Sequence, residues 1–206
     1  MSSYMAFLLA AFVLALTPGP GIAYVVARTA AGGRTEGLAS CIGTAIGGMF
    51  HVVAAAVGLS LLLVESGVAF SVVKYVGAAY LFYLGLRLLL SRQVSSQSAQ
   101  VPALGSRHAL REGVLVEALN VKTALFFLAF LPQFVVPGPP VVLQLVVMGV
   151  ICVALNTLVD VLAVLGASRI LGSELARRKR ERLLTQASGA TMVGLGLYVA
   201  LSRRGT

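Results

Sequence analysis

Charge is what this chain has least of. Only 11% of its 206 residues are Asp, Glu, Lys or Arg, where a soluble domain carries about 25%. Cysteine is nearly absent too. Cys41 and Cys152 have no C-x-x-C or Cys/His spacing, so they read as small apolar residues rather than a disulfide, redox pair or metal site. His51 is the one histidine inside an apolar stretch, and a satisfied polar residue in a helix contact is favoured there over a metal ligand or proton carrier. Neither a metal nor a cofactor is expected. The connections between apolar stretches are short and hold no hydrophobic core, which excludes a separate soluble domain.

Apolar residues are abundant instead, at 58%. They group into six stretches, residues 4–27, 36–64, 68–90, 113–136, 141–165 and 183–201. Each approaches or exceeds the ~20 residues that cross a bilayer at about 1.5 Å rise per residue. The sequence therefore predicts an all-α membrane protein of six transmembrane helices. The opening Met1-Ser2-Ser3-Tyr4 lacks the basic region of a signal peptide, so the first stretch is expected to stay as a span.

The first stretch is interrupted by Thr17-Pro18-Gly19-Pro20-Gly21. Two prolines and two glycines remove backbone donors and loosen a helix. In hydrocarbon the freed groups need protein or water partners, so a broken span usually lines a cavity, as in transporters with midplane sites.

The net charge of +9 does not point to nucleic acid, because the cations are distributed by loop. With the N-terminus outside, twelve of sixteen fall in or beside the cytoplasmic loops: Arg28, Arg34, Arg87, Arg92, Arg107, Arg111, Arg169, Arg177, Arg178, Lys179, Arg180 and Arg182. Lys74, Arg203 and Arg204 lie outside and Lys122 within a span. This positive-inside bias places both termini outside, which in the bacterial inner membrane implied by the resemblance given below is the periplasm. The run 177–182 reads as a topology signal touching anionic lipid.

The chain also looks duplicated. Gly77-Ala78 leading to Leu90-Ser91-Arg92 matches Gly189-Ala190 leading to Leu201-Ser202-Arg203, offset by 111 to 112 residues, and Pro18 matches Pro132 at 114. Three spans per copy is an odd number, so the second copy must insert upside down. Two inverted three-helix repeats result, residues 1–92 and 112–206, around a cytoplasmic linker over 93–111. Inverted repeats support alternating access.

Charges inside a span cost ~2.5–3.5 kcal/mol each even on lenient scales and need a reason. The fourth stretch holds Glu117, Asn120 and Lys122, and the fifth holds Asn156 and Asp160, four apart on one helix face. Lys122 lies about 140° from Glu117 around a regular helix. Either the helix is irregular near Asn120, or Lys122 pairs with another helix, with Asp160 the obvious candidate. The bland alternative is an interhelical polar lock. For Glu117 a water-exposed vestibule competes with a buried role. Gly43-x-x-x-Gly47 and Ala190-x-x-x-Gly194 fit close helix packing, and a homo-oligomer remains compatible. Tyr75, Tyr80 and Tyr83 read equally as interface anchors or packing residues.

Over nearly its whole length the chain resembles the LysE/RhtB family of bacterial amino-acid exporters. The resemblance rests on Leu16-Thr17-Pro18-Gly19-Pro20, Gly33-Arg34-x-x-Gly37-Leu38 and Lys74-x-x-Gly77-Ala78-Ala79-Tyr80-Leu81-x-Tyr83-Leu84-Gly85. It continues through Asn120-x-Lys122-x-Ala124-x-Phe126-Phe127 and Phe130-Leu131-Pro132-Gln133-Phe134. It implies proton-driven efflux of amino acids or close derivatives. Three positions depart from the family pattern: Gly21 and Glu117 where Asn is usual, and Val121 where Pro is usual. Loss of that proline predicts a straighter fourth helix, and the added carboxylate a more cationic substrate or an extra proton site.

The resulting expectation is an amino-acid/proton antiporter. Its substrate site comprises Thr17, Pro18, Gly19, Pro20, Asn120, Lys122 and Asn156, with Asp160 and Glu117 for proton coupling. Lys122, or backbone amides near Pro18, would meet the substrate carboxylate. A membrane-embedded enzyme and a non-transporting scaffold are the competing classes.

Overall fold

A computed structural model describes residues 2–65, 67–90 and 102–167, with the single residues 186, 190, 193, 194 and 197. Most of the sixth expected span, the basic run 177–182 and residues 93–101 of the linker lie outside the described residues. So do the side chains of Lys74 and Tyr80.

The described chain is helical in six pieces: α1 (Ser2–Leu16), α2 (Pro20–Glu65), α3 (Gly67–Leu90), α4 (Ser106–Ala118), α5 (Val121–Ala129) and α6 (Val141–Ala167). A 3-10 turn, Leu131–Phe134, follows α5. The first break falls where the proline-glycine motif predicts it. α1 stops before Thr17-Pro18, because the residue ahead of a proline is driven out of the α region. α2 restarts on Pro20, whose missing N–H is harmless at a first helical position.

α2 comprises two helices joined at a kink at Gly33 (φ 71°, ψ −166°), inside the connection expected over residues 28–35. A positive φ suits glycine, so the chain changes course there without a loop. α4 begins at Ser106, so the last part of the expected linker is already helical. The fourth helix bends without a proline at position 121, by 44° between Ala118 and Val121. Asn120 makes that bend. It adopts an extended conformation (φ −73°, ψ 100°) and its side chain accepts from the Lys122 amide at 3.1 Å, capping α5.

α2 packs along α4 and α6, while α3 lies along α5. The α2–α4 seam is as close as Gly43-x-x-x-Gly47 predicts. A Cβ on Gly47 would stand 2.6 Å from the Val114 carbonyl oxygen, and one on Gly113 2.9 Å from that of Ser40. An aromatic ladder fills the main core, with ring centroids 5.0 Å apart for Phe126–Phe130, 5.2 Å for Phe130–Phe134 and 5.6 Å for Phe7–Phe134. Cys152 is buried in this core and Cys41 in a smaller cluster with Val25 and Val164, both as free thiols.

The outer faces are apolar. Met5, Leu9 and Phe12 of α1 and Leu143, Leu158 and Leu162 of α6 are all exposed. A lipid-facing surface explains such an unbroken apolar exterior. Two stretches, Pro20–Gly58 and Val141–Gly166, are long and apolar enough to cross a membrane, and the bent pair Ser106–Ala118 with Val121–Phe134 makes a third candidate.

Candidate functional site

The two breaks meet. In a regular helix the Leu14 carbonyl would accept from the amide four residues on, but that residue is Pro18, which has none. The Thr17 amide takes that carbonyl instead at 3.1 Å, and Lys122 adds a donor from another helix: its Nζ lies 2.8 Å from the Thr17 carbonyl oxygen and 3.4 Å from that of Leu14. A cation at a helix C-terminus also suits the partial negative charge there. The approach needs Gly19, because a Cβ there would stand 3.0 Å from both Cε and Nζ of Lys122. The Asn120 cap and the Pro18 break are thus joined by one side chain.

Glu117 ends the preceding helix. Its Oε1 accepts from Thr123 Oγ1 at 2.6 Å and its Oε2 from Asn120 Nδ2 at 2.9 Å. His51 Nε2 donates to the Glu117 carbonyl oxygen at 2.8 Å, satisfying a backbone group at the bend. That is the satisfied helix contact expected of His51. Asp160 accepts from Thr44 Oγ1 at 3.0 Å. Glu117, Lys122 and Asp160 are only 8%, 9% and 7% exposed. Glu117 is therefore not a water-exposed vestibule residue.

These groups line one cleft, with Thr17, Gly21, Thr44, Asn120, Thr123 and Asn156 on its walls. Of the nine residues expected at the site, six line it: Thr17, Glu117, Asn120, Lys122, Asn156 and Asp160. Pro18, Gly19 and Pro20 shape the break instead. The expected Lys122–Asp160 pair is not formed, since the ammonium turns to the α1 carbonyls and the carboxylate to Thr44. Of the two readings of Lys122, the irregular helix at Asn120 is the one present.

Sequence reasoning missed Thr44, Thr123 and the role of Gly21. Threonines in apolar helices were the available signal, but most such hydroxyls bond their own helix, as Thr29 does to Val25. Gly21 and Glu117, both departures from the resembled pattern, touch: a Cβ on Gly21 would stand 2.5 Å from Glu117 Oε2.

A second polar cluster lies at the Gly33 kink. Arg28, 2% exposed, sets its Nη1 3.6 Å from Glu36 Oε2 and donates from Nη2 to the Pro102 carbonyl at 3.1 Å. Glu36 Oε1 accepts from the Gly105 amide at 2.6 Å. The sequence suggested a loop cation at Arg28. The fold buries it as a clasp between α2 and the segment leading into α4.

Residues 12–203 match the family model for the LysE type translocator. The chain belongs to that family. An uncharacterized membrane protein of Vibrio cholerae is 29% identical over 97% of both chains. One of Pseudomonas aeruginosa is 30% identical over 97% of this chain and 95% of its own. The homoserine/homoserine lactone efflux protein of Salmonella typhi is 27% identical, again over 97% of both chains. No solved structure matches significantly. This translocator is an integral membrane protein of an exporter family, and its bent, cavity-lining helices suit that class.

Proposed function

We propose that the cleft is the transport site of an exporter of amino acids or their derivatives, driven by proton antiport. One observation carries the reading: two buried carboxylates, an ammonium and two asparagines converge where two broken helices meet. A polar cleft of that kind offers hydrogen-bonding partners to a small charged solute inside an apolar shell. The efflux function named for the Salmonella relative supports the solute class. In this reading Thr17, Asn120 and Asn156 contact the solute, and Pro18, Gly19 and Pro20 keep the first span open beside it. Asp160 exchanges the proton, with Glu117 second. Its partner Thr44 can donate to the carboxylate or accept from the acid, so both protonation states are accommodated. Coupling follows if protonated and solute-bound forms favour opposite-facing states.

The six spans form two inverted repeats, residues 1–92 and 112–206, with both termini periplasmic. Helix breaks in both the first and fourth spans favour this arrangement.

Uptake of labelled amino acids, homoserine included, into inverted vesicles under an imposed proton gradient tests the function. Wild type should accumulate at least one solute. Asp160→Asn should lose accumulation and keep exchange of solute down its own gradient. Uptake of no panel member above that of empty vesicles would sink the exporter reading and favour a scaffold. Unchanged accumulation and pH dependence in Asp160→Asn would move the proton site to Glu117.

A further inference from the structure

Among the described residues, the charges of the cleft do not balance. Glu117 and Asp160 bring two carboxylates, and Lys122 brings one ammonium. That ammonium is engaged elsewhere, with two of its three donors directed at the Leu14 and Thr17 carbonyls. A zwitterionic amino acid entering here would set its own carboxylate against two others. A solute that carries an ammonium but no ionised carboxylate meets the field without that penalty.

Glu117 is also held in place more firmly than a passive acid needs to be. Thr123 fixes one oxygen and Asn120 the other, both from the first turn of α5 and its cap. The second oxygen points at the backbone of Gly21, in the first turn of α2. Any side chain at position 21 would put its Cβ 2.5 Å from that oxygen, well inside contact distance. The carboxylate would then swing off Asn120. Gly21 is thus what admits the Glu117 carboxylate to its position, although nearly a hundred residues separate them in sequence.

We propose that Glu117 is the specificity-determining residue of the cleft, positioned by Gly21, and that it selects solutes bearing an ammonium and no free carboxylate, such as amino-acid lactones, esters or amides. The proposal rests on the exporter reading and deepens it.

L-homoserine and L-homoserine lactone form a probe pair, since ring closure consumes the free carboxylate together with the uncharged hydroxyl and leaves the ammonium. Both are offered at mildly acid pH, where both amines are protonated. Binding to the purified protein is measured by calorimetry, and transport in proteoliposomes. Wild type should prefer the lactone by about tenfold or more, a difference of about 1.4 kcal/mol. Glu117→Gln keeps the size of the side chain and removes its charge, and should lower the lactone-to-homoserine ratio by about that factor. Gly21→Ala leaves Glu117 in the chain but displaces its carboxylate, and should shift the ratio in the same direction. A ratio unmoved by Glu117→Gln, with transport intact, overturns this proposal and leaves the exporter reading standing. Wild type that neither binds nor moves either probe, and also fails the amino-acid panel, overturns both. Wild type that moves panel amino acids but binds neither probe overturns the specificity proposal alone. If Gly21→Ala does not fold, Glu117→Gln decides the question.

Discussion

At the scale of single residues, Lys122 acts first on the backbone. At the Pro18 break its ammonium donates to the Thr17 carbonyl from another helix, while the Leu14 carbonyl also has the Thr17 amide. Lys122→Met should therefore destabilise the protein by ~1–3 kcal/mol, the usual penalty for leaving a buried acceptor unsatisfied. A lowered unfolding midpoint in detergent would show it. Adding Asp160→Asn should not restore stability, because the Thr17 carbonyl still lacks its donor. Recovery to the wild-type midpoint in the double variant would mean instead that the two charges neutralise each other. Glu36 is a second such residue. Glu36→Ala strands the Arg28 guanidinium in a nearly dry site, and removing one partner of a buried pair costs ~3–5 kcal/mol. Replacing both, as Arg28→Met with Glu36→Leu, should be milder than the single change, and thermal unfolding of the set distinguishes the two.

At the scale of elements, the bend in the fourth span does not need a proline. Asn120 ends one helix and caps the next, and Val121 occupies the first position of α5. That position tolerates proline, and the extended backbone of Asn120 (φ −73°, ψ 100°) is what a residue before proline prefers. Val121→Pro should therefore fold normally and gain ~0.4–1 kcal/mol by restricting the unfolded chain. Asn120→Ala should cost ~1 kcal/mol through loss of the cap, and should also release Glu117 from one of its two donors. Unfolding midpoints of the two variants should move in opposite directions. A strongly destabilised Val121→Pro would show that the bend is set by something other than the cap.

At the scale of the whole molecule, the proposed orientation rests on twelve cations in or beside the loops assigned to the cytoplasm against three outside. Single cysteines introduced at positions 2, 98 and 178, in a background lacking Cys41 and Cys152, test the orientation. Position 2 should label from outside intact cells, whereas 98 and 178 should label only after permeabilisation. Labelling of position 98 from outside would overturn the topology. The repeat makes a separate demand: residues 1–92 and 112–206 should superpose through a two-fold axis in the membrane plane. An experimental structure whose halves fail to superpose would overturn the repeat.

The sequence by itself determined the all-helical membrane class and the first break. Apolar runs leave few alternatives in a bilayer, where every backbone group must be satisfied locally. The Pro18-Gly19-Pro20 interruption is equally local, because it follows from missing amides and forbidden dihedrals. Glu117, Lys122 and Asp160 stood out in the sequence as well, since an intramembrane charge is conspicuous in any apolar stretch, and the three line one cleft. Their partners were not. Lys122 and Asp160 looked like a pair because opposite charges attract, yet the nearest acceptors for the ammonium were carbonyls beside a proline break on another helix. Arg28 looked like a loop cation, yet its guanidinium is buried against Glu36 and the segment before α4. Gly21 carried no signal, because a missing side chain matters only when another residue fills its space. Those outcomes depend on distances between segments remote in sequence, and the tertiary structure alone fixes them.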